Sequence, residues 1–593
     1  MTTPHYSHLP FHLLPIHCPP MSTHEKVCLP TISLERPSPP RPNGPRLKIL
    51  LPFFGILAFL LYQNSSTVLS KLHRCSHGSL HNISDSDKCP VQPNPLNVGE
   101  DWNPLTDQAY GELAARRLSR AVQIPTESFD NLPKDGSDPS FDKHYAFADF
   151  IESEYPKLYQ TLKHETVNSH AHLFTWEGSD KSLKPILLMA HTDTVPVLPE
   201  TLDQWSYPPF EGSITHDATP DTPGTWVWGR GASDCKNSLL GIYGAVERLV
   251  IEGFKPERTI IISNGYDEEI GGIRGSGAIA RILEDRYGTE GISFLVDEGF
   301  TGVSQDYGAL VASLGMAEKG SVNVRVKVET LGGHSSVPPV HTGIGIMSLI
   351  LAELEKNPFD PTLVPSTPYF KYLSCMSEHA PEVPKSIKNQ IKNPRKWKKL
   401  AHDLASSDRT LNSFLATTQA IDLISGGVKV NALPEYVEAT INHRIAFTSS
   451  INETLKHISQ LIVPLAQSLN FTISAFEPSP KKASNFHITL DAPSGFESAP
   501  ITPSDSKSFE LMAGTCKHVF GKDTIVSPSG MFANTDTKQM WNVTRNIYRF
   551  TPALLSENVN QHTVDERISL NAHLNTTRFF YKLLRNAEGW HAE

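Results

Sequence analysis

Cysteine is scarce in this chain, and no spacing of its cysteines indicates a zinc finger or a disulfide framework. Seven cysteines occur in 593 residues. Four of them, Cys18, Cys28, Cys75 and Cys89, lie in the amino-terminal part, and the other three are scattered. A disulfide between Cys75 and Cys89 is one expectation, and free thiols are the other.

An excess of positive charge is also missing. The chain carries 53 basic and 63 acidic residues, which gives a net charge of -10 and a pI near 6.2. Phosphate binding needs clustered positive charge, so we expect no nucleic acid partner. The composition is otherwise that of a globular protein, and the length favours two folded domains plus tails.

The sequence lacks an apolar run that spans a bilayer unaided. The best candidate, residues 49–62, covers about 21 Å as a helix, whereas the hydrocarbon core measures roughly 30 Å. The uncharged residues 63–70 extend it, and Arg41, Arg46 and Lys48 precede it. We therefore predict a transmembrane signal anchor at 49–70 with the bulk of the chain in a lumen. A buried core helix and a cleaved signal are the alternatives.

The segments around this run look unstructured. Residues 1–48 are rich in proline, serine and histidine and predict a disordered cytoplasmic tail, and residues 71–98 predict a stalk. A secretory route fits the glycosylation sequons of the chain. These sequons begin at Asn64, Asn82, Asn452, Asn470, Asn542 and Asn575.

Residues 99–317 predict the first part of an α/β catalytic domain. Helical segments alternate with short apolar strands, which is typical of a mostly parallel central sheet. The strands at 185–190, 259–263 and 292–296 are each followed by acidic or imidazole side chains. Ligands bind beyond the carboxyl ends of such strands, so we expect all three polar clusters at one edge of the sheet.

From residue 318 the pattern changes to longer alternating strands. Strands at 321–328 and 435–445 and helices at 343–354 and 450–469 suggest a β-α-β-β-α-β order. This order predicts a ferredoxin-like α+β domain at 318–478, inserted into the α/β domain, which resumes at 479–593.

Four short motifs carry the residue types of a metal-dependent hydrolase: HTD at 191–193, GRGASDCK at 229–236, DEE at 267–269 and VDEG at 296–299. Adjacent carboxylates repel each other unless a cation or hydrogen bonds offset their charge. Because neighbouring residues of an extended segment point to opposite sides, we expect one of Glu268 and Glu269 to bind metal and the other to carry protons. Taken alone, DEE also fits an exposed acidic turn, and HTD fits a histidine satisfied by a neighbour at a strand end.

In this order, HTDTVP, GRGASDCKNS, DEEIGG, VDEG, GGHSS and a late histidine resemble the aminoacylase and carboxypeptidase family of co-catalytic zinc peptidases. Within it, the fungal Gly-Xaa carboxypeptidase group, or carboxypeptidase S, is the most similar. The resemblance covers residues 105–584. It implies a zinc-exopeptidase-type catalytic domain, an inserted lid and dimerisation domain, two zinc ions per subunit and a homodimer.

The activity that this resemblance implies is hydrolysis of the amide bond next to the free C-terminal carboxylate of a short peptide. An aminoacylase, or an N-acyl amino acid synthase and hydrolase, is the alternative within the enzymes. A catalytically inactive receptor on the same fold is disfavoured, because the motif residues are all present. The resemblance also implies a vacuolar location, and a secreted or released form is the other expectation.

The resemblance further assigns roles to single residues. One zinc ion would be held by His191, Asp234 and either Asp297 or Glu298, and the other by Asp234, Glu269 and His562. Glu268 would take a proton from the attacking water, Asp193 would orient His191, and the peptide between Asp234 and Cys235 would be cis. The remaining roles fall to His334, a lid histidine often supplied by the partner subunit, and to Arg444 and Asn431, which would bind the substrate carboxylate.

Overall fold

The computed structural model describes residues 88–96, 99, 102–216, 224–477 and 485–592. The predicted tail, the predicted anchor and Cys75 lie outside these residues. None of the helices in these ranges has the length and apolarity that a membrane crossing requires.

The strands lie in two main sheets and two small ones. In chain order they are β1 (Lys163–Val167), β2 (Ala171–Trp176), β3 (Ile186–His191), β4 (Ile214–Thr215), β5 (Trp226–Trp228), β6 (Ile260–Gly265), β7 (Phe294–Asp297), β8 (Val303–Asp306), β9 (Ala309–Glu318), β10 (Gly320–Glu329), β11 (Gly333–His334), β12 (Thr418–Gly426), β13 (Ala432–Leu433), β14 (Tyr436–Ile445), β15 (Thr472–Ala475), β16 (His487–Phe496), β17 (Ile525–Met531), β18 (Ile547–Arg549), β19 (Asn558–Val559) and β20 (Arg567–Ser569).

The helices cover both faces of the larger main sheet and one face of the smaller. They are α1 (Gln108–Val122), α2 (Lys143–Glu154), α3 (Pro156–Thr161), α4 (Lys236–Ile251), α5 (Ser276–Tyr287), α6 (Gly343–Lys356), α7 (Pro368–His379), α8 (Lys385–Ile391), α9 (Trp397–Ser407), α10 (Arg409–Leu415), α11 (Ile451–Ser468), α12 (Lys507–Phe520) and α13 (Leu570–Asn586).

The larger sheet confirms the α/β prediction. Its strand order is β1-β2-β6-β3-β7-β18-β9-β17, and β8 pairs with β9. The central strands β6, β3, β7 and β18 run parallel to one another. Every residue of β3 and β6 is buried, as expected for strands covered by helices on both faces.

The smaller main sheet has the order β12-β14-β10-β16-β15, with α6 and α11 packed on one face. Along β14 buried and more exposed residues alternate, as expected when one face meets a core. Helix α11 begins with Ser450 as its N-cap, because the Ser450 side chain accepts the Glu453 N–H. The sheet continues to Phe496, beyond the boundary at residue 478 that the sequence predicts.

A group of short helices, α7 to α10 at 368–415, separates α6 from β12, and the predicted β-α-β-β-α-β order does not include it. The group has its own apolar core around Phe370, Leu373, Trp397 and Leu400.

The expected pairing of Cys75 with Cys89, and its free-thiol alternative for Cys89, are both wrong. Cys89 forms a disulfide with Cys375 on α7, 286 residues away in the chain. Sequence spacing favoured the near neighbour, but the fold brings the amino-terminal segment against the helical insert. Cys235 and Cys516 are free and buried.

Candidate metal centre

Three of the four polar motifs meet at one edge of the larger sheet, as the sequence predicts. His191 ends β3, and Asp297 ends β7. The DEE motif begins two residues after β6. Because β3 pairs in parallel with both β6 and β7, these strand ends are neighbours.

Asp234 lies between two histidines. Its Oδ1 is 3.2 Å from Nε2 of His191, and its Oδ2 is 3.0 Å from Nε2 of His562. The same Nε2 of His562 lies 3.3 Å from Oε2 of Glu269. Asp234 is therefore shared between two groups of potential ligands, one around His191 and one around His562. His562, which only the resemblance singled out, is placed directly in the centre.

The loop that carries Asp234 is held by Glu566, which sequence reasoning missed. Oε1 of Glu566 accepts the backbone N–H groups of Gly231, Ser233 and Asp234 at 3.0, 3.0 and 3.1 Å. Its Oε2 forms an ion pair with Arg230 at 2.5 Å. Glu566 thus joins the Asp234 loop to the segment of His562, four residues earlier. The short distance from His562 along the chain is the only feature of the sequence that could have indicated Glu566.

The peptide between Asp234 and Cys235 is cis, as the resemblance implies. The Cys235 thiol receives the backbone N–H of His191 at 3.1 Å. Burial raises the pKa of Cys235 well above its usual value. Its sulfur lies with His191 and Asp234 in one of the two groups that could hold a metal ion.

Asp193 is completely buried and connects two of the motifs. Its carboxylate accepts the backbone N–H groups of Glu268 and Glu269 at 3.1 and 3.2 Å. Nδ1 of His191 lies 3.0 Å from the Asp193 carbonyl oxygen and 3.4 Å from its carboxylate. Burial favours a higher pKa for Asp193, but its hydrogen bond with His191 and the charge of that histidine hold the pKa below the usual value.

Glu268 and Glu269 lie in a single 3-10 turn, Glu268–Ile270, that ends at Gly271 with φ of 107°. Only glycine adopts this backbone angle readily. Asp267, the first acid of the motif, is instead bonded to the backbone of Arg274 and Gly275 and forms an ion pair with Arg274. Burial raises the pKa of Glu268 to about 8.

The two acids of VDEG differ in their surroundings. Oδ1 of Asp297 accepts the backbone N–H of Glu298 at 2.9 Å. Its Oδ2 is buried and has no hydrogen-bond partner among the described residues. Glu298 is partly exposed. Burial raises the pKa of Asp297 to about 7 and that of Glu298 well above its usual value.

The donor set fits divalent cations. Asp234, Glu269, Asp297 and Glu298 crowd together at the strand ends, and such carboxylates repel each other without a cation. Oε1 of Glu269, like Oδ2 of Asp297, is buried with no hydrogen-bond partner in the described part of the chain. Carboxylate oxygens together with imidazole nitrogens are ligands that zinc prefers.

A second polar group, of positive charge, surrounds Arg444. This guanidinium is largely buried and donates to Oδ1 of Asn534 at 2.8 Å. Asn534 in turn donates to the carbonyl of Lys319, whose Nζ bonds to the carbonyl of Ala416 at 2.7 Å. Burial, with the nearby charge of Arg444, lowers the pKa of Lys319 to about 7. Neither cation forms an ion pair with any described carboxylate, but Lys319 Nζ also donates to the Ser413 carbonyl at 3.0 Å, which leaves Arg444 as the cation that could bind an anion.

The segment 534–537 links this cationic group to the acidic turn. Asp536 packs so closely on Gly265 and Gly272 that a side chain at either glycine would collide with it. The segment contacts a fully buried ion pair between Glu318 and Arg549, whose charged groups are 3.1 Å apart. The segment 534–537 therefore connects Asn534, the partner of Arg444, with Asp536, which packs on the glycines before and after the acidic turn.

Within a single chain, His334 and Asn431 lie apart from Arg444. His334 belongs to β11, which pairs with β13 directly after Asn431. Both are exposed, and the His334 ring bonds only to Ser336 among the described residues. The two-stranded ribbon of β11 and β13 comes just before Tyr436, where β14 begins. Arg444 lies near the other end of β14, roughly 26 Å along the strand. One chain therefore does not bring His334 and Asn431 together with Arg444.

Comparison with known proteins identifies the family of this chain. Residues 187–586 match the model of peptidase family M20/M25/M40. The chain is 39% identical to carboxypeptidase S of Saccharomyces cerevisiae, over 81% of this chain and 85% of that protein. It is 32% identical to an N-fatty-acyl-amino acid synthase/hydrolase of Homo sapiens, over 79% of this chain and 87% of that protein.

Solved structures show the same fold at low sequence identity. Human carnosine dipeptidase 1 superposes with a TM-score of 0.55 at 13% identity, covering 81% of this chain and 96% of that one. A metallo-carboxypeptidase of the M20 family from Sulfolobus solfataricus gives a TM-score of 0.54 at 16% identity, covering 80% and 98%.

Proposed function

The chain belongs to peptidase family M20/M25/M40 and is a metal-dependent peptide-bond hydrolase, and we propose that it removes the C-terminal residue of short peptides of the Gly-Xaa type. The observation that carries this proposal is the part-buried guanidinium of Arg444, which forms no ion pair with any described carboxylate. A free carboxylate has the charge and shape that a guanidinium binds best.

We propose that the centre binds two zinc ions. His191, Asp234 and Asp297 would hold one ion, and Asp234, Glu269 and His562 the other. When bound, zinc polarises a carbonyl and lowers the pKa of water towards about 7. Glu268, whose backbone is fixed by Asp193, would carry the proton of the attacking water to the leaving amine.

Asp297 is proposed over Glu298 as a ligand because of its position on the sheet. Leu295 packs with Leu187 in one core layer, and Asp297, two residues on, points to the same face as His191. We expect Asp297→Asn to lower zinc content from about two ions to about one per chain, and Glu298→Gln to retain both. Metal analysis of the two purified variants decides between them, and the reverse pattern would make Glu298 the ligand.

The proposed activity can be separated from its main alternative by substrate kinetics. The human relative named as an N-fatty-acyl-amino acid synthase/hydrolase makes N-acyl amino acids the second candidate substrates. We expect carboxybenzyl-Gly-Leu to be hydrolysed with a higher kcat/KM than acetyl-leucine or octanoyl-leucine. Its C-terminal amide should be slower by on the order of 10³-fold, because Arg444 would lose its anion. Faster hydrolysis of the acyl amino acids would establish the alternative.

We further propose a homodimer in which the ribbon of one subunit completes the site of the other. The separation of His334 and Asn431 from Arg444 supports this arrangement. A suitable surface is present, because β12 is an edge strand on which Leu423 and Ile424 are exposed. Apolar side chains on an open sheet edge favour pairing with another chain.

For the cellular location, we propose a single-pass anchor at 49–70 with the catalytic part in the vacuolar lumen. The disulfide between Cys89 and Cys375 supports an oxidising compartment, and exposed sequons at Asn452, Asn470 and Asn542 are accessible to glycosylation. Carbonate extraction of membranes combined with glycosidase treatment tests this. A soluble, unglycosylated full-length protein would contradict it.

A further inference from the structure

We propose that a cavity lined by Phe300, Tyr369, Phe414 and Phe532 binds the side chain of the substrate's C-terminal residue and makes the enzyme selective for large apolar residues. This inference rests on the proposed carboxypeptidase function and names the pocket that would determine its specificity.

The cavity has a volume of ≈ 540 Å³ and a largely aromatic wall. Phe300 and Phe532 are stacked, with ring centroids 6.3 Å apart and planes 8° from parallel. Phe414 meets Phe532 edge-on at 5.6 Å and stacks on Tyr369 at 5.3 Å. Aromatic rings held in this way form a rigid apolar surface of the kind that lines ligand pockets.

Large apolar side chains are left exposed at this cavity. Phe300 is 36% exposed and Phe532 37% exposed, as is Leu555 on the opposite wall. The one acid in the wall, Asp306, is already bonded to the hydroxyls of Ser304 and Tyr372, at 2.7 and 2.9 Å. The remaining surface therefore favours an apolar occupant over a charged one.

Two wall residues of the cavity, Phe300 and Phe532, are close along the chain to the two parts of the proposed site. Phe300 follows Glu298 by two residues, and the intervening Gly299 lies against Met531, where an added side chain would be 2.7 Å from its sulfur. Met531 directly precedes Phe532. Phe532 is two residues before Asn534, the partner of Arg444.

This position matches the geometry of a C-terminal residue. Its α-carbon is bonded to the scissile nitrogen, which must approach the metal acids, and to the carboxylate, which Arg444 would bind. The side chain branches from that same carbon, so it must enter a space that borders both groups. Phe300, two residues after Glu298, and Phe532, two residues before the Arg444 partner Asn534, place the wall of this cavity next to both groups along the chain. The acyl group of the substrate would lie on the other side of the scissile bond.

The outer wall comes from the helical insert, which the fold attaches firmly to the catalytic part. Tyr369 lies on α7 and Phe414 on α10. Helix α7 also carries Cys375, whose disulfide with Cys89 attaches it to the amino-terminal segment. The insert therefore gives the pocket a fixed size, and size sets the selectivity.

The test compares carboxybenzyl-Gly-Ala, carboxybenzyl-Gly-Leu and carboxybenzyl-Gly-Phe with the intact enzyme and with Thr410→Trp. Thr410 lines the cavity from α10 and is exposed, so an indole there fills the space without entering the core. For the wild type we expect kcat/KM to rise roughly fourfold per added methylene from alanine to leucine. In Thr410→Trp the leucine-to-alanine ratio should fall at least about fivefold. Phe414→Ala, which removes a wall, should lower the same ratio.

The matched control is Ser406→Trp, the same kind of change at an exposed position on the neighbouring helix α9, which should keep the wild-type ratio. A flat dependence on the C-terminal residue, or an unchanged ratio in Thr410→Trp and Phe414→Ala, would overturn the pocket while the carboxypeptidase function stands. If Thr410→Trp instead alters the preference between acetyl-leucine and octanoyl-leucine, the cavity binds the acyl group and this assignment is wrong. Failure of the wild type on all three peptides would refute the proposed function itself.

Discussion

Replacing Glu268 with Gln should lower kcat by about 10²- to 10⁴-fold, the usual contribution of a proton-transferring side chain. Gln has the volume of Glu but neither accepts nor returns a proton. Asp193 holds this position through the backbone N–H, which the substitution leaves in place. No other described side chain offers a carboxylate from the same turn except Glu269, which already faces His562.

The variant is informative because metal binding should survive it. We expect zinc content and thermal unfolding of Glu268→Gln to match the wild type, so that the loss appears in turnover alone. Glu165→Gln is the matched control. Glu165 lies on the edge strand β1 and pairs with Arg286 of α5, so this variant should retain full activity. Substantial turnover by Glu268→Gln, or loss of its zinc, would remove Glu268 from the role of proton carrier.

Mixing two inactive variants should restore activity if the ribbon acts across the dimer. His334→Ala alone should lose about 10²- to 10³-fold, the usual effect of removing a donor to the developing oxyanion. When it is co-expressed with Glu268→Gln, half of the random dimers are hybrids, and each hybrid has one complete site. We therefore expect about a quarter of the wild-type activity.

The control for this experiment pairs Glu268→Gln with Asp234→Asn. Both changes damage the same group of residues, so a hybrid of the two has no complete site and should stay inactive. Restored activity in both pairings would indicate exchange or contamination. No activity in the His334→Ala hybrid would place His334 in the site of its own subunit.

The sequence predicted that acidic and imidazole side chains meet at one edge of the sheet, because they follow buried parallel strands. The apolar runs before His191 and Asp297 left little choice of secondary structure, and parallel pairing then placed the strand ends together. His562 carries no such signal, since it lies in a loop with φ of 60°, and only the resemblance identified it.

What the sequence could not predict depends on contacts between distant segments. Glu566 is an ordinary acid until the fold brings three backbone N–H groups onto it. The partnership of Cys89 with Cys375 required knowing that the helical insert packs against the amino-terminal segment. Similarly, the pattern of β14 gave its two faces but not the separation of Arg444 from the ribbon that carries His334.

The central claim, a peptide bond hydrolysed at a two-metal centre, is tested most directly by titrating zinc into enzyme stripped with chelator. Hydrolysis of carboxybenzyl-Gly-Leu should be absent from the apoenzyme and should rise to a plateau at about two zinc ions per chain. Full activity in the metal-free enzyme, or a plateau reached without bound zinc, would contradict the account.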